Sequence, residues 1–297
     1  MRSMTDAEGR TFLAVDWGTT NRRVYRIVDG QVEETQRDDR GILAVEPGSF
    51  GAEVADIRAR MGDLPMLCAG MVGSNRGWVE APYVGCPADL AALAGKLVWA
   101  ETNRTAIVPG VAVRADGRSD VMRGEEVQLL GAVATGLAPA DALLCQPGTH
   151  CKWATMTGGA ITHFATAMTG EFFSLLQKHS LLAAQMTGPV EPGADFLRGV
   201  RDAAGDALLT RLFGVRADFV TGLRNATGSA SYVSGLLIGT DVRSRLDGED
   251  RAVFVLADPQ LGALYAAAID AVGARPYLID SQAAFVGGIT SIWDSLS

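Results

Sequence analysis

The hydrophobic and polar positions of this chain form the same pattern twice, near its start and near its middle. Residues 11–35 read as three short strands, separated by turns at Gly18-Thr19 and at Asp29-Gly30. Asp-Gly between alternating apolar residues is a strong hairpin signal, because both central positions of a type I′ turn favour positive φ. Residues 142–166 repeat the design around Gly148-Thr149. The sequence therefore predicts two three-stranded meanders.

Helical and strand-like segments follow each meander. After the first, the pattern predicts a helix at 50–61, a strand at 65–69, a helix at 87–97, a strand at 105–108 and a helix at 119–134 capped by Ser119 and Asp120. After the second, it predicts helices at 171–182, 195–204, 207–213 and 231–246, a strand at 252–257, a helix at 260–272, a strand at 276–279 and a helix from 281.

Meander, helix, strand, helix and strand, repeated twice, is the ribonuclease-H-like plan. We therefore predict an α/β protein of actin-like ATPase architecture, with two ribonuclease-H-like domains flanking a cleft. The chain of 297 residues is long enough for two hydrophobic cores. The predicted domains are 1–135 and 136–297, and the helix at 281–297 can pack back on the first domain.

Composition and charge limit the kinds of partner that we expect this protein to bind. Hydrophobic residues make up 48% of the chain and charged residues 20%, a balance typical of globular proteins. The net charge of −8 argues against nucleic acid or an anionic membrane as a partner. No apolar run approaches the roughly 20 residues of a membrane helix, and the polar start shows no secretory signal. The four cysteines lack metal-ligand spacing, so we expect reduced thiols and a cytoplasmic protein.

The first Gly-Thr turn carries a candidate phosphate and metal site. Asp16 ends the first predicted strand, and Gly18, Thr19, Thr20 and Asn21 form the turn. Glycine lets backbone approach a phosphate, the threonine amides and hydroxyls are donors, and a carboxylate can hold Mg²⁺ directly or through water. The alternative is an ordinary hairpin turn beside a buried acid.

The second turn strengthens the phosphate interpretation because it repeats the first. Gly148, Thr149 and His150 supply backbone and side-chain donors, and Lys152 follows two residues beyond His150. Gln146 stands where the first copy has its Asp, so only the first copy offers a carboxylate to a metal. An exposed strand lysine is an equally good interpretation of Lys152. Neither a GxxxxGK[ST] nor a GxGxxG sequence occurs, which disfavours a P-loop or Rossmann nucleotide site.

Two acids before the second turn are candidates for a general base. Glu125 and Glu126 lie early in the predicted helix, where a carboxylate could accept the proton of an attacking hydroxyl. Acids are also common at helix starts because they interact favourably with the helix dipole. Glu125 is the preferred base, and Asp120 can be a plain cap.

Asp258, at a later strand-to-helix junction, can lie against adenine or ribose, although core packing also explains that junction.

A polar and aromatic loop is the candidate substrate site. It contains Asn75, Arg76, Trp78 and Tyr83. An arginine fork pairs with a carboxylate and an aromatic ring covers the apolar face of a sugar, so the set suits a polyhydroxylated acid. A packed Ω-loop with Trp78 as its plug is the alternative.

Several motifs in one order resemble the 2-dehydro-3-deoxygalactonokinase family of the sugar kinase, heat-shock and actin superfamily. They are Asp16-Trp-Gly-Thr-Thr-Asn, Ala69-Gly-Met-Val-Gly-Ser with Gly77-Trp and Ala81-Pro-Tyr, Met122-Arg-Gly-Glu-Glu, and Pro147-Gly-Thr-His-Cys-Lys-Trp. The resemblance implies ATP-dependent phosphorylation of the 6-hydroxyl of 2-dehydro-3-deoxy-D-galactonate. Gly124-Glu125 occupies the place where related sugar kinases carry a Gly-Asp with the catalytic base.

The resulting hypothesis is a magnesium- and ATP-dependent sugar-acid kinase. Asp16 would organise Mg²⁺, Glu125 would be the base, and the two turns would grip the phosphates across a shared crevice. A homodimer is compatible with this hypothesis. One alternative is a kinase of the same fold that acts on another sugar, sugar acid or carboxylate. From a different class come a catalytically silent nucleotide or sugar sensor and an actin-like assembly protein.

Overall fold

The computed structural model describes residues 11–115, 117–205, 207–246 and 250–296. Its residues group into two compact units. Unit 1 contains the described residues up to 141 together with 155–164 and those from 281 onward, and unit 2 contains 142–154 and 165–280. Among the described residues, no helix combines the length and apolar character that a membrane crossing requires.

Unit 1 is built on a six-stranded sheet with the order β3-β2-β1-β4-β7-β6. Strand β1 of this sheet is antiparallel to β2 and parallel to β4. The predicted Asp29-Gly30 turn is confirmed, since both residues have positive φ, 48° and 77°. The strands are β1 (Thr11–Trp17), β2 (Arg22–Val28), β3 (Gln31–Asp38), β4 (Met66–Gly70), β6 (Val98–Glu101) and β7 (Thr105–Ile107).

Helix α1 (Phe50–Met61) supplies much of the core on one face of this sheet. Its buried positions Phe50, Val54, Ile57 and Met61 recur at the three- and four-residue spacing of one helical face. They pack against apolar residues of β1 and β4. The helix predicted at 50–61 is therefore confirmed, and its burial follows from its periodicity.

The helix predicted to start at Ser119 and Asp120 is wrong in its first turn. Residues Arg118–Met122 form strand β9, and the helix α3 begins only at Glu125 and runs to Ala134. Gly117 has a φ of 71°, and strand β9 pairs antiparallel with β8. Ser and Asp also favour turns and hairpins, so the cap signal was ambiguous. The strands β5 (Tyr83–Gly85), β8 (Gly110–Ala115) and β9 form a small sheet that the sequence did not predict.

The last helix of the chain, α9 (Ser281–Asp294), packs closely on α3. A Cβ added to Gly131 would overlap the carbonyl oxygen of Ala284, and one added to Gly288 would overlap that of Val127. The rings of Phe12 and Trp293 stack with their centroids 4.4 Å apart. Glycines at the helix contact let the two backbones approach, and the aromatic pair joins the helix to β1.

The second sheet has the order β12-β11-β10-β13-β14 and belongs to unit 2 except for residues 155–164, which include parts of β11 and β12. Strand β13 is parallel to both β10 and β14, as the predicted repeat of the first sheet requires. The strands are β10 (Ala142–Gln146), β11 (Cys151–Thr157), β12 (Ala160–Ala167), β13 (Ala252–Ala257) and β14 (Arg275–Asp280). The remaining helices are α2 (Leu90–Ala94) in unit 1 and α4 (Thr169–His179), α5 (Ala194–Asp202), α6 (Leu208–Val220), α7 (Ser229–Arg243) and α8 (Pro259–Ala271) in unit 2.

We predict that Gly288→Ala destabilises the protein by about 2 kcal/mol, because the added methyl group must push α9 away from α3. Gly51→Ala in α1 is the matched control, because a Cβ at this position meets nothing within 4 Å. Alanine is also a better helix former than the glycine it replaces. Urea unfolding of both variants measures the change. Equal stabilities for the two variants would contradict the close helix contact.

Candidate active site

Hydrogen bonds to its carbonyl groups hold the first turn, Gly18–Asn21, in place. The carbonyl oxygens of Gly18, Thr19 and Thr20 accept hydrogen bonds from the backbone N–H groups of residues 41–43, at 3.0–3.2 Å. A Cβ on Gly41 would overlap the turn's backbone, so this contact requires glycine. Within the described part of the chain, the N–H groups of Thr19 and Thr20 donate no backbone hydrogen bond. The turn is therefore fixed while the amides of Thr19 and Thr20 are left for an anion; the amide of Gly18 instead donates to the carbonyl of Asn21 at 2.9 Å.

Asp16 lies beside this turn, near the end of β1. It lines a cavity of about 180 Å³ with the turn residues, Arg23 and Arg37. Desolvation raises the pKa of Asp16 to about 6, while the charge of Arg23, its direct partner across the hairpin, lowers the pKa and that of Glu125 raises it. Asp16 therefore lies beside the first turn and close enough to Glu125 for the two charges to interact.

The two neighbouring arginines of β2 have different roles. The buried guanidinium of Arg22 pairs with Asp38 at 2.7 Å and with Glu53 at 3.0 Å, and it lies over the ring of Trp17. Arg22 is therefore a structural cation of the sheet face opposite Asp16. Arg23 is the one that faces the candidate site.

The turn between β9 and α3 places the two candidate bases in different surroundings. Glu125 is partly exposed, and its Oε2 accepts a hydrogen bond from the N–H of Arg123 at 3.1 Å. Glu126 is wholly buried, and both its oxygens accept the N–H of Gly124 at 2.8 and 2.7 Å. Desolvation, reinforced by the charge of Glu125, raises the pKa of Glu126 to about 8. A base that must reach a substrate hydroxyl needs the accessible position, which is that of Glu125.

The loop after β4 is compact and contains the predicted substrate residues. Asn75 and Arg76 are exposed, and the ring of Trp78 is partly buried and stacks on Phe50 with centroids 6.5 Å apart. Gly77 fits directly against the carbonyl of Val72, where no Cβ could stand. The loop backbone is thus fixed, with its amide and guanidinium groups at the surface.

Arg123 is a functional candidate that sequence reasoning missed. It is only 9% exposed, and the half-exposed ring of Tyr83 lies over its guanidinium at 4.4 Å. Its Nη2 donates to the carbonyl of Ala81 at 2.8 Å, but its Nε and Nη1 have no partner among the described residues. The only sequence signal was its position just before Gly124-Glu125.

The second turn, Gly148–His150, lies in unit 2 against the start of α4. The N–H of Glu171 donates to the carbonyl of Thr149 at 2.8 Å, and His150 Nε2 lies 2.6 Å from the Glu171 carboxylate. Gly170 packs against the carbonyl of Gly148 with no room for a Cβ. Lys152 is buried in β11 and donates to Thr166 Oγ1 at 2.8 Å. His150 and Lys152 therefore have different surroundings.

A largely apolar cavity of about 250 Å³ lies next to Gly148 in unit 2. Asp258 is at its edge and caps α8, accepting the N–H groups of Gln260 and Leu261 at 3.0 and 3.1 Å. An apolar pocket with a few polar groups at its rim is the usual form of a small-molecule site. Its other lining residues include Gly170, Phe173, Leu237, Leu264 and Tyr265.

A buried carboxylate that the sequence did not reveal organises this region. Asp241 of α7 accepts hydrogen bonds from Trp153 Nε1 at 3.0 Å, Thr169 Oγ1 at 3.1 Å and Tyr265 Oη at 3.0 Å. Thr169 and Tyr265 both line the cavity beside Gly148. Asp241 therefore joins the strand after the second turn to the wall of the cavity.

The donor set fits a magnesium ion that arrives with phosphates. Within the described ranges, no cluster of three or more His, Cys, Asp or Glu side chains could form a protein cage for a metal. Mg²⁺ is commonly held by one or two carboxylates, with waters and substrate phosphates as its other ligands. Asp16 beside the uncommitted amides of the first turn matches that arrangement.

Solved structures show the fold to which this chain belongs. The chain aligns with the activator of the 2-hydroxyisocaproyl-CoA dehydratase from Clostridium difficile with a TM-score of 0.53, over 96% of this chain and 95% of that one, at 9% identity. A likeness at this identity shows the fold alone, which is that of the actin-like ATPases. The predicted fold class is thereby confirmed.

Sequence comparison gives the family. The model of the 2-keto-3-deoxy-galactonokinase family matches residues 16–292. The chain is 38% identical over 287 residues to the 2-dehydro-3-deoxygalactonokinase of Escherichia coli (strain K12), covering 95% of this chain and 97% of that protein. A crystal structure of a Sinorhizobium meliloti protein proposed to have this activity aligns with a TM-score of 0.87 at 31% identity, over 95% of each chain. This chain belongs to the 2-keto-3-deoxy-galactonokinase family, as its motifs predicted.

Proposed function

We propose that this protein transfers the γ-phosphoryl group of ATP to the 6-hydroxyl of 2-dehydro-3-deoxy-D-galactonate, giving the 6-phosphate and ADP. The observation that carries the proposal is the family match over residues 16–292, which includes Asp16, Glu125 and both turns. A new bond forms between the hydroxyl oxygen and the phosphorus, and the bond to the ADP oxygen breaks. Such a kinase would draw on the cytoplasmic ATP pool.

The nucleotide would be held by donors and by the apolar cavity. The amides and hydroxyls of Thr19 and Thr20, with the side chain of Asn21, are suited to phosphate oxygens in unit 1. In unit 2 the backbone of Gly148 and Thr149, with His150 and Lys152, would have the same role. The cavity beside Asp258 is the candidate adenosine site, because an apolar wall packs against a purine while the rim can meet the ribose.

Asp16 would hold the magnesium ion. The bound ion would neutralise charge that develops on the phosphate oxygens during transfer. The raised pKa of Asp16 reflects desolvation of a carboxylate that has no hydrogen-bonded cation among the described residues, and a divalent ion would favour its ionised form. Phosphoryl transfer depends chiefly on positioning and electrostatic stabilisation, so a fixed carboxylate in this place suffices.

Glu125 would accept the proton of the 6-hydroxyl as that oxygen attacks. Its carboxylate is partly exposed and lies close enough to Asp16 for their charges to interact. The hydrogen bond from the N–H of Arg123 occupies Oε2 and fixes the side chain. Its other oxygen is therefore the candidate proton acceptor.

The substrate's carboxylate requires a cation to bind it. The proposed acid-recognition loop consists of Asn75, Arg76, Trp78 and Tyr83. Arg76 is exposed and can present its fork to a carboxylate. Beneath Tyr83, the guanidinium of Arg123 adds a second positive charge. Trp78 is held by Phe50, so only the part of its ring that stays exposed could cover the sugar.

We predict ADP release with 2-dehydro-3-deoxygalactonate and at most a small response to neutral hexoses, because the site pairs cations with an acid group. The assay couples ADP release to NADH oxidation for a panel of 2-keto-3-deoxy sugar acids, with glucose and galactose as controls. A clear preference for a neutral hexose would contradict the proposed substrate class, and no turnover with any sugar acid would contradict the proposed function.

We predict that Arg76→Ala raises the KM for the sugar acid about tenfold or more and leaves the KM for ATP unchanged, since a charge-assisted hydrogen bond is lost. Arg60→Ala is the matched control, an exposed arginine of α1 that pairs with Asp56. Steady-state kinetics with each substrate varied in turn give both constants. An unchanged KM for the sugar acid would remove Arg76 from recognition and leave Arg123 as the cation to test.

A further inference from the structure

Glu126 is the most deeply buried acid near the candidate site, and the proposed transfer does not use it. Its side chain is wholly buried, and both of its oxygens receive the single N–H of Gly124. Gly124 has a φ of 107°, a conformation that residues with a side chain rarely adopt. The buried carboxyl thus fixes the one residue on which the sharp turn between β9 and α3 depends.

This turn is connected to Asp16 by direct backbone packing. A Cβ on Gly124 would lie 3.1 Å from the Cα of Gly70, and a Cβ on Gly70 would lie 2.7 Å from the carbonyl oxygen of Trp17. Trp17 is the residue after Asp16, and Gly124 is the residue before Glu125. Two glycines therefore stand between the segments that carry the proposed metal ligand and the proposed base. A shift of Gly124 would change the separation of the two acids.

Burying an acid in this way is costly, which argues that it has a specific role. A carboxyl group removed from water loses its hydration, and the charges that act on Glu126 are those of Glu125, which raises its pKa, and Arg123, which lowers it. Both its oxygens accept the N–H of Gly124, and the backbone N–H of Glu126 itself also stabilises the carboxylate. The bond to Gly124 therefore fixes the residue that joins the turn to the start of α3.

We propose that Glu126 is a positioning residue, whose hydrogen bonds to Gly124 set the distance between Glu125 and Asp16. The consequence for turnover rests on the proposed kinase function. The hydrogen bonding itself does not, so the two can fail separately. A positioning role requires an acceptor at this place rather than a charge, because it acts through the Gly124 N–H.

The kinetic test compares Glu126→Leu with Glu126→Gln. Leucine removes the acceptor, and we expect kcat to fall about 100-fold, the loss typical of a displacement of about one ångström, with both KM values within about twofold of wild type. Glutamine retains an acceptor oxygen, and we expect it to restore most of that loss. If glutamine lowers kcat as far as leucine does, the carboxyl charge is needed and the positioning role is wrong. An unchanged kcat in the leucine variant also overturns it.

A second measurement is independent of catalysis. Hydrogen exchange of the Gly124 amide, followed by NMR, should be at least tenfold faster in Glu126→Leu and close to wild type in Glu126→Gln. The amide of Gly77, which donates to the carbonyl of Ser74, is the control for intact folding of the unit. Unchanged protection of Gly124 in the leucine variant overturns the inference. An inactive wild-type protein with this exchange pattern would instead overturn only the proposed function.

Discussion

The close backbone packing at the carboxyl end of β1 is the constraint on which the candidate site depends. A Cβ added to Gly41, Gly70 or Gly124 would meet the backbone of another segment before any side chain. A side chain at any of them would push the segments apart. These three main-chain contacts hold the first turn, Asp16 and Glu125 near one another. In the proposed positioning role, the hydrogen bonds between the Gly124 N–H and Glu126 then set the separation of the two acids.

Electrostatics explain why this packed corner suits phosphoryl transfer. Burial raises the pKa of both Asp16 and Glu126, and the negative charge of Glu125 raises both further. Arg23 only partly offsets the negative charge at Asp16. In the proposed reaction the missing positive charge is supplied by the magnesium ion that accompanies the nucleotide. The site is then organised in advance for a cation rather than for a metal cage built from protein ligands alone.

Sequence patterns predicted the repeated elements well, because those elements have local signals. The Asp29-Gly30 turn requires positive φ, and the helix at 50–61 has one apolar face. The prediction failed at residues 119–120, where the same residue types suit a helix cap or a hairpin and long-range strand pairing decides between them. Arg123 and Asp241 were missed because their importance lies in tertiary contacts. Arg123 is buried with two guanidinium nitrogens that have no partner among the described residues, and three donors converge on Asp241. The individual roles of the predicted site residues stay predictions.

If Asp16 serves catalysis through a divalent cation, Asp16→Asn should lose both turnover and much of its dependence on Mg²⁺. Turnover should be measured as a function of Mg²⁺ concentration in this variant, in wild type and in Asp39→Asn as an exposed control, alongside the unfolding midpoint of each protein. We expect a loss of kcat of about 100-fold or more in Asp16→Asn, comparable to removing one preorganised electrostatic contact, with a weaker response to Mg²⁺ and an intact fold. An Asp16→Asn protein with wild-type turnover and wild-type magnesium dependence would contradict it.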